Sequence, residues 1–298
     1  MKISVIMPMY NSEKTVIRAI DSLKNQTYKN FELIIVDDKS SDRSLTLVEA
    51  YDSLKDKLII VKLENNSGVN VARNQGLDVV SVDSSIVTFL DSDDEFVETA
   101  LEDMVSVINE NNSYLDYCFA VVDHQNKPCS FLGGREQAYD YKNIVSNRKL
   151  ISGEWVHAIK TPLIFDRTFR YDERVKNGFE SLAYLRLARS NDVYYSKKVV
   201  RKYYTDNESL TRTNSYSKER VKDLCNGYQL LLQEHEVCWL NSKVEYSKLL
   251  SVFAHFSFLN KDYIKALKLT FIAFTKNPLE LRVYRNLMYL VFRKYSKV

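Results

Sequence analysis

Apolar, β-rich runs alternate with amphipathic segments of helical length over residues 3–90, and this rhythm constrains the fold more than any other feature. The runs predict strands at residues 3–7, 31–36, 58–63 and 86–90. The intervening segments predict helices at residues 13–25, 42–54 and 69–82. Strand and helix in alternation form right-handed βαβ units. The sequence therefore predicts an α/β fold with a mostly parallel sheet flanked by helices.

The fourth apolar run stops abruptly at carboxylates, since residues 86–90 are followed by Asp91, Ser92, Asp93 and Asp94. Open α/β sheets bind their ligands at the carboxyl ends of their strands. Carboxylates this close raise one another's pKa, and a divalent cation such as Mn²⁺ or Mg²⁺ removes that cost. A polar turn that caps the next helix remains the alternative.

The other strand ends are also polar. The first three apolar runs are followed by Pro8-Met-Tyr-Asn11, Asp37-Asp-Lys-Ser40 and Glu64-Asn-Asn-Ser-Gly68, respectively. Because parallel strands end at the same edge of a sheet, these groups meet there. The pattern indicates a ligand-binding edge.

Charge and cysteine usage narrow the class of protein. The 298 residues carry a net charge of +3, and residues 261–298 hold nine Lys or Arg against two acidic residues. That segment is +7, which leaves the first 260 residues at −4. The four cysteines lack CxxC spacing, so a reduced compartment fits them better than a zinc or disulfide framework. With no predicted leader or spanning segment, we expect a cytoplasmic protein, with peripheral membrane contact left open.

The pattern changes after the fourth strand. A helix is predicted from residue 97 to about 108 and a strand at 114–122, and from residue 217 onward the pattern is helical. We therefore predict a catalytic domain at residues 1–214, with halves at 1–95 and 96–214, and a helical region at 215–298.

Four motifs in order resemble family 2 glycosyltransferases with the GT-A fold, of the bacterial surface-polysaccharide type. They are residues 4–11, residues 31–40, Asn66-Ser-Gly68 with Ala72-Arg-Asn-Gln-Gly76, and Asp91-Ser-Asp93, which looks like the family's DxD motif. The resemblance weakens toward residue 214.

The resemblance implies a nucleotide-diphosphate-sugar donor with uracil as the expected base. Asp38 would accept a hydrogen bond from the uracil N–H, and Arg73 would contact the nucleotide through its planar guanidinium. Asp93 is the expected metal ligand, while Asp91 would bind the ribose or a metal-bound water. The remaining donor-binding residues expected are Pro8, Tyr10, Asn11, Gly68, Ser92 and Arg212. Lys39 stands where the family often has glycine, so a turn with positive φ there would be strained.

The general base of an inverting displacement is less clear from the sequence. The family supplies it from a Gly-Glu-Asp segment ahead of an Arg-Leu pair, and counting back from Arg186 places Glu180 at the aspartate and Phe179 at the glutamate. Glu180 is the expected base, and Glu173, Asp172 or altered chemistry are the alternatives. Substituting glutamate for aspartate moves the carboxylate by more than about an ångström unless the backbone compensates.

Three further residues have weaker assignments. Arg201 is an alternative to Arg212 as the diphosphate contact. Trp155 and His157 lie on the acceptor side in related enzymes, yet a lone tryptophan or histidine is more often structural.

The basic tail suggests a partner surface. Apolar residues recur at helical spacing among lysines at Ile264, Leu267, Phe271 and Phe274. The same spacing occurs among basic residues at Leu287, Leu290 and Val291. An anionic membrane surface suits such helices and would fit a lipid-linked acceptor. Packing on the catalytic domain or a partner subunit remains open, as does a homodimer. Nucleic acid is not expected.

The sequence thus predicts a metal-dependent, inverting glycosyltransferase that extends a capsule- or O-antigen-type glycan, carried free or on lipid. The alternative from another class is a non-catalytic nucleotide-sugar-binding or scaffold subunit, suggested by Phe179. A nucleotidyltransferase is less consistent, because residues 7–11 lack a glycine-rich, basic first loop.

Overall fold

The computed structural model describes residues 1–147, 149–204, 216–239 and 242–292. They form two compact units, the first containing the main sheet and the second the C-terminal helices. The boundary predicted between residues 214 and 215 lies outside the described residues.

The regular elements follow the predicted alternation. The strands are β1 (Ile3–Met9), β2 (Phe31–Asp37), β3 (Leu58–Lys62), β4 (Ile86–Phe89), β5 (Glu95–Phe96), β6 (Asp116–Asp123), β7 (Ser130–Leu132), β8 (Gln137–Tyr139), β9 (Ile151–Gly153), β10 (Trp155–Lys160) and β11 (Val193–Tyr203). The helices are α1 (Val16–Lys24), α2 (Ser44–Glu49), α3 (Val69–Asp78), α4 (Ala100–Glu110), α5 (Tyr141–Ser146), α6 (Pro162–Phe165), α7 (Ser181–Ala188), α8 (Lys218–Trp239), α9 (Lys243–Leu259), α10 (Tyr263–Lys276) and α11 (Leu281–Phe292), with a 3₁₀ helix at Asp52–Lys57.

The main sheet has the order β3-β2-β1-β4-β10-β6-β11-β5, with β8 also paired to β11. Its first four strands are parallel. Beyond β4 the sheet is mixed, because β10 runs antiparallel to both β4 and β6 while β11 is parallel to β6. The α/β fold is confirmed, and its parallel part is the half that the alternating sequence predicts.

The parallel strands are buried on both faces, which explains their continuous apolar runs. Val5 and Leu33 belong to one core cluster together with Ile20 of α1. Ile6 and Ile34 face the other side and pack in a cluster with residues of α3 and α7.

The first three predicted helices are shorter in the structure, and the one predicted at residues 13–25 spans only Val16–Lys24. The segment predicted at 42–54 divides into α2 and the 3₁₀ helix, because Tyr51 adopts an extended conformation (φ −86°, ψ 93°). Its hydroxyl donates to Asp21 at 2.6 Å. The helix predicted at residues 69–82 is α3, which ends at Asp78. The apolar pattern continues beyond α3 because Val80 is buried, although Val80 is not helical.

The second unit is built around α9, whose Leu250, Phe253 and Ala254 are almost fully buried. Ser242 and Asp262 cap α9 and α10 by accepting hydrogen bonds from backbone N–H groups three residues on. Among the helices that the structure describes, none has the length and apolar character to cross a bilayer.

Candidate active site

The carboxyl ends of β1, β2 and β4 meet at one edge of the sheet. The amide of Asp38 donates to the carbonyl of Met9 at 2.8 Å, and the amide of Leu90 donates to the carbonyl of Ile6 at 3.0 Å. The hydroxyls of Ser12 and Ser92 lie 2.7 Å apart and join the ends of β1 and β4. The polar groups that the sequence places after each strand are therefore neighbours.

Asp38 is buried and fixes the loop that leads into α3. Its two carboxylate oxygens accept hydrogen bonds from the amides of Ser67 (2.6 Å) and Gly68 (2.8 Å). Each oxygen retains a second lone pair. Lys39, the next residue, has φ +65°, so the turn does place lysine in the left-handed region that glycine would occupy without strain.

The three residues expected at the end of β1 differ in exposure. Pro8 is buried within the strand opposite Val36, whereas Tyr10 is 48% exposed. Asn11 has φ +49°, and its side-chain oxygen accepts a hydrogen bond from the amide of Ser41 at 2.8 Å. Tyr10 is the member of this trio that offers a large exposed surface.

Gly68 has φ +95°, a conformation that other residues rarely adopt. A Cβ atom on it would lie 2.3 Å from the backbone oxygen of Lys176. The glycine is therefore required both by its backbone angle and by the close approach of a segment about a hundred residues away.

Arg73 connects two acidic residues that are distant in sequence. Its guanidinium donates to Asp91 and to Glu180, each at 2.8 Å, and its side chain is only 8% exposed. Glu180 thus lies beside the carboxylates after β4.

The three aspartates after β4 sit in different electrostatic surroundings. Burial would raise the pKa of Asp91, but Arg73 and Arg201 outweigh it and lower that pKa. Burial and the nearby Asp91 raise the pKa of Asp93. Burial also raises the pKa of Asp94 to about 7, even though Arg201 opposes the shift.

Arg201 on β11 is buried near this cluster. Its guanidinium nitrogens lie 3.4 Å from Asp94 and 3.8 Å from Asp91 and Glu154. Of the two arginines considered for the diphosphate, Arg201 is therefore at the site, and Arg212 lies outside the described residues.

Residues 171–180 form the wall of the site opposite the strand ends, and two asparagines of α3 hold them. The amide nitrogen of Asn70 donates to the carbonyls of Asp172, Val175 and Gly178 at 2.7 to 3.2 Å. Asn74 bonds the backbone of Tyr171 in both directions. Sequence reasoning gave neither a role. The sequence did indicate a shared role for Asn70 and Asn74, because they lie four residues apart on one helix face, next to Arg73.

The alternative bases are both engaged elsewhere. Asp172 forms ion pairs with Arg174 (2.6 Å) and Arg186. Burial opposes ionisation of Asp172, but these hydrogen bonds prevail and hold its pKa well below the usual range. Glu173 accepts a hydrogen bond from Asn74 at 2.8 Å.

Trp155 and His157 have structural contacts. The indole packs edge-on against Tyr195. The imidazole stacks on Tyr184 at 3.5 Å, and its Nδ1 lies 2.9 Å from buried Asp116. His157, Asp116 and Cys118 place ligand atoms within 4.8 Å of one another, a donor set that could hold a metal ion.

A mixed sheet with acidic and basic groups at the carboxyl ends of its parallel strands is typical of an α/β protein that binds its ligand at this edge. Residues 4–158, more than half of the chain, match the sequence model of Glycosyl transferase family 2. The protein belongs to this family and is a glycosyltransferase.

Relatives in sequence and structure agree with this assignment. An uncharacterized glycosyltransferase of Rickettsia typhi is 25% identical over 273 residues, which cover 90% of this chain and 83% of the relative. The GalNAc(5)-diNAcBac-PP-undecaprenol β-1,3-glucosyltransferase of Campylobacter jejuni is 29% identical over 213 residues, covering 70% and 67%. Residues 1–349 of TarS from Staphylococcus aureus, in complex with UDP-GlcNAc, superpose with a TM-score of 0.65 at 19% identity and cover 98% of this chain and 88% of theirs. The structural similarity confirms the GT-A-like fold.

Proposed function

We propose that this glycosyltransferase moves a sugar from a UDP-sugar to a hydroxyl of a glycan or lipid-linked acceptor in bacterial surface-polysaccharide synthesis, of the capsule or O-antigen type. The observation that carries the proposal is the guanidinium of Arg73, which joins Asp91 on the donor side to Glu180. The names of the relatives from C. jejuni and S. aureus support the acceptor and donor classes. The proposed location is the cytoplasm, including the inner face of the membrane.

The carboxylates after β4 suit a divalent cation. Oδ2 of Asp94 is buried and has no hydrogen-bond partner among the described residues, and burial together with the nearby Asp91 raises the pKa of Asp93. Asp93, with Asp91, would hold Mn²⁺ or Mg²⁺, which binds through few carboxylates and substrate phosphates. The ion would neutralise charge developing on the diphosphate leaving group.

The chain's own residues account for the rest of the reaction. Glu180 takes the proton of the acceptor hydroxyl, whose oxygen attacks the anomeric carbon as the bond to the UDP oxygen breaks, so that the configuration inverts. Arg73 and Arg201 are fixed cations beside the developing negative charge. Asp38 and Tyr10 hold the nucleoside at the ends of β2 and β1.

Substitution of two neighbouring glutamates tests the base. Glu180→Gln should lower kcat by about 10²- to 10⁴-fold while UDP affinity stays within about threefold, because a glutamine keeps the shape but cannot accept the proton. The matched control is Glu173→Gln, which should keep most activity. Full activity in Glu180→Gln would remove it from the mechanism, and an absence of turnover in the wild type with every donor would favour the scaffold alternative.

Calorimetric titration tests the donor and the metal. UDP should bind wild type more tightly with Mn²⁺ than without it, and Asp93→Ala should lose that difference. Tighter binding of GDP than UDP would keep the reaction class but change the donor. If the affinity for UDP changes neither with Mn²⁺ nor in Asp93→Ala, the result would contradict the metal site.

A further inference from the structure

Large apolar side chains of α10 and α11 are exposed together on one surface of the second unit. Ile264 and Phe271 on α10 are 72% and 66% exposed, and Leu281 and Val291 on α11 are 81% and 73% exposed. We call this surface the α10–α11 face, and it comprises Ile264, Leu267, Phe271, Phe274, Leu281, Tyr284, Met288 and Val291. A contiguous apolar surface of this kind on a folded protein marks an interaction site.

The face is separate from the core of its own unit. The opposite side of α10 is buried through Ala266, Thr270 and Ala273, and the carbonyl of Ala273 accepts a hydrogen bond from Ser247 of α9 at 2.8 Å. Likewise, Asn286 of α11 is buried and donates to the carbonyl of Ser251 at 2.8 Å. The exposed stripe is therefore not needed to attach either helix to α9.

The two halves of the face are continuous. The rings of Phe274 and Tyr284 meet edge to face with their centroids 6.3 Å apart. The α11 stripe differs from the one expected from the sequence, because Leu290 is partly buried and packs in a core cluster near Tyr289. Tyr284 and Met288 replace it on the surface.

Positive charge lies within and around the face. Lys268 is exposed four residues after Ile264 and three before Phe271, which places it on the same stripe. Lys261 and Arg282 are exposed at the beginnings of the two helices. Residues 261–292 contain six basic residues against two acidic ones, a net charge of +4.

We propose that the α10–α11 face docks on an anionic phospholipid bilayer, with its aromatic and aliphatic side chains at the acyl boundary and its cations at the headgroups. Apolar burial and attraction to anionic lipid act together in such surface-bound helices. A second copy of the chain fits less well, because two faces of the same positive charge would repel each other. The proposal concerns location and is independent of the transfer chemistry, since vesicle binding needs no sugar donor.

Flotation of the 298-residue chain tests the proposal, with vesicles of phosphatidylcholine alone and with phosphatidylglycerol added. The wild type should bind the anionic vesicles at least about tenfold more tightly, and 0.5 M salt should weaken that binding. Leu267→Ser with Phe271→Ser should lose about a hundredfold in affinity, because two inserted side chains are removed. Lys268→Glu with Arg282→Glu should lose at least about tenfold on anionic vesicles only.

Matched controls make every outcome decisive. Val82→Ser and Lys55→Glu change an exposed apolar and an exposed basic residue of the first unit and should leave binding unchanged. UDP affinity and thermal unfolding show whether each variant is folded. Equal flotation with both vesicle types, or none with either, would overturn the proposal. A dimer in light scattering that Leu267→Ser with Phe271→Ser dissociates, without vesicle binding, would assign the face to a second copy.

Discussion

The two walls of the candidate site are built by different means. On the strand-end wall, the ends of β1, β2 and β4 are placed by parallel strand pairing, so backbone hydrogen bonds fix the positions of Asp38 and Asp91. The second wall, residues 171–180, lies opposite the strand ends, between α6 and α7. It includes positive φ angles at Gly178 and Phe179. Side chains of α3 hold it, so it depends on a few residues rather than on a sheet.

The largest effect is expected where the two walls are joined. Arg73→Met leaves Asp91 and Glu180 without their shared cation and should lower the free energy of unfolding by about 3 kcal/mol. The loss should be smaller than for a fully buried ion pair, because both carboxylates are about a third exposed. Chemical denaturation measures this, and transfer activity should be lost as well.

Arg73→Lys is the matched control for this substitution. A lysine keeps the charge but cannot present two planar donors at once, so stability should be recovered more than activity. If Arg73→Met unfolds like the wild type, the two walls are not joined through this residue.

The sequence predicts the strand ends of the site better than it predicts residues 171–180. The alternation of strands and helices placed Asp38 and Asp91 at one edge, because parallel strands bring their ends together whatever the details of the loops. Arg73 was assigned to the site only through the family resemblance. Counting back from Arg186 selected Glu180 only through a family resemblance. The partners of Asn70 could not be predicted, since it bonds carbonyls more than a hundred residues away and only the folded chain shows which ones.

The helical second unit illustrates another limit. Periodicity identified its helices and the apolar stripe around Phe271, but periodicity is the same for a buried stripe and an exposed one. Packing against α9 decides between them, and it partly buries Leu290 while leaving Met288 at the surface.

The second prediction concerns Gly68, where the loop after β3 contacts residues 171–180. Gly68→Ala forces an alanine into φ +95° and places its Cβ against the backbone of Lys176, so we expect a loss of about 2 kcal/mol in unfolding free energy. Trypsin should also cleave faster after the exposed Arg174 and Lys176, because the segment is displaced. A loss of global stability without faster cleavage would locate the strain elsewhere.

The asparagines of α3 allow a sharper test of what holds the second wall. Asn70→Ala removes the side-chain donor to three backbone carbonyls and should lower the free energy of unfolding by about 1 to 2 kcal/mol. Faster tryptic cleavage after Arg174 should accompany a fall in kcat with little change in UDP affinity, because the strand-end wall, where we propose that UDP binds, remains intact. Asn70→Asp is the comparison, since it keeps the size but loses the N–H donors. Equal kcat in all three proteins would contradict a positioning role.

The smallest effect concerns charge within the second wall and depends on pH. The pKa of Asp172 is lowered in the folded state, so its contribution is complete above the unfolded pKa of about 3.9 and is lost as the pH falls through the folded value. Asp172→Asn should therefore cost about 1 kcal/mol at pH 7, a modest figure because Arg174 is largely exposed and screened. The difference from wild type should shrink as the pH falls below 4. Denaturation curves at pH 7, 5 and 3 measure it, and a difference that stays constant with pH would mean that packing of Asp172, rather than its charge, stabilises this wall.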